Sequence, residues 1–244
     1  MVLSQHAAGI APPGIQFSWN RLPAQAVENL VGFASDGSPL ADLFAAIGPS
    51  ASQSVREVLA SGIAAGENPR VIARSVKAAL GVPRARAEAI ARHEILKAYR
   101  QVSLDSFQAN RDLVTGWYWH SATDARTCSA CWALHGSRHS VDEKLDGHVM
   151  CRCSMVPISR SWAEITGDDT IPDTRPQVVP GPELFAQLPA EQQKEILGPG
   201  AYQLYSNGRV GLQDMVTQDS DARWGTARRA ATQQEALAHA GARA

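Results

Sequence analysis

Hydrophobic positions in the first half of the chain recur at helical spacing. In "SQSVREVLASGIAAG", Val55, Leu59 and Ile63 fall at four-residue steps and form one apolar stripe. "NPRVIARSVKAALG" gathers Val71, Ile72, Val76 and Leu80 on a buried side. Asn68 stands as its cap, Pro69 in the first turn and Gly81 as the stop. The same grammar predicts a helix in "GSPLADLFAAIG", with Ser38 as cap, Pro39 first and Gly48 just past the end. The longest periodic segment spans about 83–112, where Ile90, Ile95, Leu96 and Tyr99, with Glu94 and Lys97, suit a long amphipathic helix. Arg84, Arg86, Arg92, Lys97 and Arg100 make it locally basic. That charge reads first as a solvated face, and second as a surface for DNA or an acidic partner.

The period changes at "VTGWYWHSATDARTC". Val114, Thr115, Trp117, Tyr118 and Trp119 are strand formers, and "SATDART" reads as a turn, so a short strand precedes the first cysteines. Trp117 and Trp119 are expected to pack against the small module they border. Residues 159–182 are polar and broken by prolines, as a linker or extended arm would be. "GPELFAQLPAEQQKEILG" predicts one or two short helices, with Leu188-Pro189 between them and Gly198 as a stop. Asn207-Gly208 is a turn signal, and "TARRAATQQEALAHAGARA" reads as a last helix or a fraying tail. No internal repeat is visible. The expected fold class is α+β, a mostly helical body with a small zinc-stapled, β-containing module. Its parts are a helical region over 1–112, a cysteine/histidine module over 113–160, a linker or arm over 161–182 and a small helical/hairpin segment over 183–244.

Composition narrows this picture only slightly. A chain of 244 residues buries a core without disulfides, and 6% aromatic content with abundant alanine leans toward packed helices. A net charge of −1 argues against a protein that coats nucleic acid non-specifically. "MVLSQHAAGIAPPG" lacks a basic start and a long apolar run, and no stretch approaches a membrane span. A reducing cytoplasm is therefore the expected setting, with no membrane partner.

In that setting the cysteines become the informative residues. All four, Cys128, Cys131, Cys151 and Cys153, lie in the one window "TCSACWALHGSRHSVDEKLDGHVMCRC". Clustered cysteines in a reducing compartment point to metal ligands before disulfides. The two-residue gap of Cys128-x2-Cys131 folds both sulfurs inward. An extended Cys151-Arg152-Cys153 projects both thiols to one side and Arg152 to the other. His148, three residues before Cys151, offers a nitrogen; His135 and His139 are further candidates in the loop. A tetrahedral zinc takes four ligands, drawn here from Cys128, Cys131, His148, Cys151 and Cys153, and which four stays open. The expected role is structural, because a loop with so few apolar residues does not hold itself together. A catalytic zinc keeps a position for water, and although Glu143 and Asp146 are nearby acids, no catalysis is expected.

"GWYWHSATDARTCSACWALHG" followed by "DGHVMCRC" resembles the core of the phage Mu F-like head morphogenesis proteins, minor capsid proteins of tailed phages and prophages. Trp119, Asp124, Arg126, Thr127, Cys131, Leu134, His135, Gly136, His148, Cys151, Arg152 and Cys153 carry the resemblance. "AEAIARHEILKAYRQVSLDSF" is similar to the helix before that core, with Glu94 matching and His93 where threonine is common. Val149 stands where a proline often follows the closing histidine. The resemblance spans about 50–160, and "LGPGAYQLYSNGRVGLQDMV" looks like a companion segment of many members. It implies a virion component of the phage head, present in few copies and assembled in the bacterial host cytoplasm. The implied partners are the portal protein and head or capsid proteins, with packaged DNA as a further contact and no small-molecule substrate.

Two other classes compete. A small metal-dependent nuclease of the His-Asn-His type also sets a ββα unit beside cysteine pairs, but the second pair here is Cys-x-Cys and no clear His-Asn-His order follows a strand. A zinc-stapled DNA-binding module needs a basic surface. Here Arg126, Arg138, Lys144 and Arg152 are offset by Asp124, Asp142, Glu143 and Asp146.

Overall fold

The computed structural model describes residues 49–64, 67–148, 150–221 and 225–243. The helix expected in 37–48, the Ile63 side chain and Val149 lie outside the described residues. Three helices open the described chain: α1 (Pro49–Ala64), α2 (Pro69–Leu80) and α3 (Arg84–Ala109). The capping grammar of α2 is realised. Asn68 Oδ1 accepts the Arg70 N–H at 2.9 Å, and Gly81 ends the helix at φ 64 with its N–H on the Lys77 carbonyl. Val55 and Leu59 of α1, Ile72 and Val76 of α2, and Ala87, Ile90 and Ala98 of α3 form the first core.

The fold is α+β, as the pattern predicts. Strand β1 (Val114–His120) leads into helix α4 (Ser129–Leu134), followed by β2 (Arg138–His139) and β3 (Ser154–Ser159). The sheet is antiparallel in the order β2-β1-β3, with Trp117 opposite His139 and Trp119 opposite Met155. Trp117 and Trp119 point into a second core, both fully buried. Leu104 and Phe107 of α3 join them there, with Val141, Leu145, Cys131, Cys151, Cys153 and Met155. The 26-residue α3 thus serves two cores with successive stretches of its length.

The remaining elements are α5 (Trp162–Thr166), α6 (Gly181–Ala186), α7 (Ala190–Leu197), α8 (Pro199–Ser206), a 3-10 turn at Leu212–Met215, β4 (Val216–Asp221), β5 (Gly225–Ala230) and α9 (Gln233–Gly241). Within the polar 161–182 stretch, Ser161 and Glu164 form a capping box that starts α5. The third core joins Phe185, Val210, Leu212, Met215 and Ala236 to Trp132 from α4. Asn207-Gly208 forms the expected turn, at the end of helix α8, with Gly208 at φ 70. One expectation changes here. "GTARRA" is strand β5, paired with β4 from Val216↔Ala230 to Asp221↔Gly225. Alanine and arginine carry little strand preference, so that strand exists through its pairing. Among the described residues no helix is long and apolar enough to cross a membrane.

Candidate metal centre

The site is built where α4 begins and β3 is about to begin. Cys128 is the N-cap of α4, and Cys131 lies one turn inside it on the face toward the second core. Trp132, the next residue, turns to the third core and meets Phe185 edge-on at 5.5 Å. One short helix therefore carries a thiol on one face and an aromatic anchor on the other.

On the opposite side, His148 and Cys151 close a tight turn in which the Cys151 N–H donates to the His148 carbonyl at 3.0 Å. Met150 holds that turn at φ 65, a left-handed conformation that costs a side-chain-bearing residue about 1–2 kcal/mol. Cys151 and Cys153 are buried while Arg152 between them is exposed, the alternation expected of an extended Cys-x-Cys.

The donor atoms converge. Cys128 Sγ is 3.2 Å and Cys131 Sγ 3.5 Å from His148 Nε2, and Cys131 Sγ is 3.7 Å from Cys151 Sγ. A tetrahedral ion with sulfur at about 2.3 Å and nitrogen at about 2.0 Å has S···S edges near ~3.8 Å and S···N edges near ~3.5 Å. The three separations match those edges. Two donor groups arise, Cys128/Cys131/His148 and Cys131/Cys151/Cys153, with Cys131 common to both. They are the groups capable of holding a metal ion among the described residues.

Electrostatics fit the same use. The Cys131 thiol is pushed far up by Cys128 first, then by Cys151 and Cys153. Cys128 is drawn down to about 4, chiefly by the Cys131 thiol and then by His148. Cys151 is drawn down to about 2 by Cys131 and Cys153, while Cys153 is left at about 12 because Cys151 and burial outweigh the help of Cys131. Thiols crowded this closely share protons when alone, and a divalent cation removes the conflict by taking those that ligate it as thiolates.

A polar frame surrounds the donors. Asp124 accepts from Arg126 N at 3.1 Å and Thr127 Oγ1 at 2.9 Å, closing the turn before Cys128. Its carboxylate also takes both terminal nitrogens of Arg152, at 2.7 and 3.1 Å. Arg152 first, then Thr127 and Arg126, hold the Asp124 carboxyl far below the usual range. The Asp-x-Arg-Thr turn and the Cys-Arg-Cys segment, far apart in sequence, are thus one tied unit. On the inner side, the Arg100 guanidinium from α3 donates to the carbonyls of Cys151 and Cys153. Sequence reasoning placed Arg100 on a solvated basic face; the structure buries it. Its signal was its place on the α3 side that carries Leu104 and Phe107.

The two spare histidines are used elsewhere. His135 is buried and its Nδ1 accepts the Ser121 N–H at 3.1 Å, with burial lowering its basicity. His139 stacks on Trp117 at 4.3 Å and bonds Ser137 and Glu143. Glu143 also accepts the Ser140 N–H, so it is tied to its own turn.

Residues 53–156 match the family model described as Phage Mu protein F like protein. That span runs from α1 into β3 and includes Cys128, Cys131, His148, Cys151 and Cys153. Curated proteins and solved structures give no match.

Proposed function

We infer that the chain belongs to the Phage Mu protein F like family, whose model residues 53–156 match, and on that premise we propose that it is a minor structural protein of a phage head that docks to the portal. The observation that carries the reading is the tie between Asp124 and Arg152. It joins the two most specific parts of the family-like sequence around one donor cluster. A module tied together in this way suits a docking role.

The metal proposed for the cluster is zinc, in a structural role. Cys128, Cys131 and His148 supply three positions, and Cys151, next to Cys131, supplies the fourth. Cys153 remains a buried thiol beside the Trp119 indole, whose N–H has no other partner among the described residues. When bound, the ion supplies cross-linking and charge neutralisation. The chain's own residues supply the rest: the α4 cap, the His148–Cys151 turn and the Asp124–Arg152 tie orient the donors.

Two experiments test this. Heads purified from cells carrying the phage or prophage should contain the chain in few copies, and it should co-purify with the portal. Normal heads and full infectivity after its deletion would overturn the assignment. Elemental analysis should give about one zinc per chain. Cys151→Ser should lose the metal and Cys153→Ser should keep it; the reverse order would exchange their roles.

A further inference from the structure

Arg100 is 8% exposed, although it belongs to a helix whose other arginines face solvent. Its Nε donates to the Cys153 carbonyl at 3.1 Å, and one Nη donates to the carbonyls of Cys151 and Cys153 at 3.0 and 2.8 Å. In extended backbone the carbonyls of residues i and i+2 point the same way, so one planar guanidinium meets both. The second Nη fills the notch beside Gly147. A Cβ built there would stand 3.2 Å from it and 2.9 Å from Cys151 Sγ, so the position before His148 has no room for a side chain.

The charge balance points the same way. Three thiolates and an imidazole around a divalent ion leave a net negative site. A guanidinium is a cationic group, and that of Arg100 is buried directly behind the site.

We infer that Arg100 is a positioning residue of the metal centre. Its fork fixes the Cys151–Cys153 backbone in the register that aims the thiols inward, and its charge offsets the thiolate set. Because it projects from α3, it also anchors the centre to the helical body. This inference rests on the metal reading above.

The test compares Arg100→Lys and Arg100→Gln with the wild-type chain in zinc competition against a chromophoric chelator, with the absorption spectrum of cobalt-substituted protein as a second readout. Ile90→Ala, which weakens the first core without touching the loop, is the structural control. The expected result is zinc affinity about 10–100-fold weaker in Arg100→Gln, with Arg100→Lys between it and wild type, and unchanged affinity in Ile90→Ala. The cobalt spectrum of Arg100→Gln should lose intensity in its thiolate bands. Arg100 variants that bind zinc within twofold of wild type overturn the inference, as does an equal loss in Ile90→Ala. A wild-type chain that binds no zinc sinks the metal reading itself, and the inference with it.

Discussion

Trp117 shows how much a single residue carries in the cysteine module. It is fully buried, stacks on His139, and its Nε1 donates to the Ser140 carbonyl at 2.8 Å and the Glu143 carbonyl at 3.2 Å. The indole therefore fills the second core and holds the loop that follows β2. Trp117→Ala should destabilise the protein by about 3–5 kcal/mol, read as a lower urea midpoint, whereas Trp117→Phe should lose less because it keeps most of the volume. Residue identity was legible at this scale where the chemistry is local. The cysteines, His148 and Asp124 announce themselves by spacing. Arg100 did not, because its role depends on carbonyls 51 and 53 positions away in the chain.

Among the elements, the β4–β5 hairpin and α9 form a unit locked by charge. Arg229 on β5 pairs with Asp219 across the hairpin at 2.6 Å and with Glu235 in the first turn of α9 at 2.9 Å. Glu235 also completes a capping box with Thr232. Arg229 first, then the Thr232 N–H, draw the Glu235 carboxyl down from 4.5 to about 2. A carboxyl lowered on folding stabilises the folded state above its unfolded value, and that contribution is lost as pH falls through the folded value. Order in α9 should therefore weaken between pH 4.5 and about 2, seen as changes in its amide NMR signals. Glu235→Gln should remove that step and leave α9 weaker already at neutral pH. A pH profile of α9 identical in both proteins would refute the lock. Helices α2 and α3 were readable from period and caps, since those signals are local. Strand β5 was not, because "GTARRA" is a strand only while β4 pairs with it.

At the scale of the whole molecule, the donor cluster lies in the second of three cores. Helix α3 joins the first core to the second, and α4 joins the second to the third through Cys131 and Trp132. The C-terminal hairpin also reaches the loop before His148. The Arg228 N–H donates to the Asp146 carbonyl at 2.7 Å, and its guanidinium lies 5.8 Å over Trp119. The second core contains Cys131 and Cys151, two of the proposed ligands, so it depends on that ion. Chelation should abolish the near-ultraviolet signal of the buried tryptophans and open 140–153 to protease. The far-ultraviolet helix signal should largely persist, because the first core holds no metal ligand. Loss of all helix on chelation would show instead that the cores are not separable.

The sequence by itself determined the helical body, the strand before the cysteines, the candidate donors and the likeness to the Mu F-like family. Each of these is written in short-range spacing that chemistry constrains directly. Only the tertiary structure decided which basic residue is buried, which histidines are spent on packing and where the hairpin lies. It also decided that the Asp-x-Arg-Thr turn and the Cys-Arg-Cys segment form one unit. Those outcomes depend on groups brought together from distant positions, where burial forces every carbonyl, charge and N–H to find a partner. No local pattern names that partner in advance.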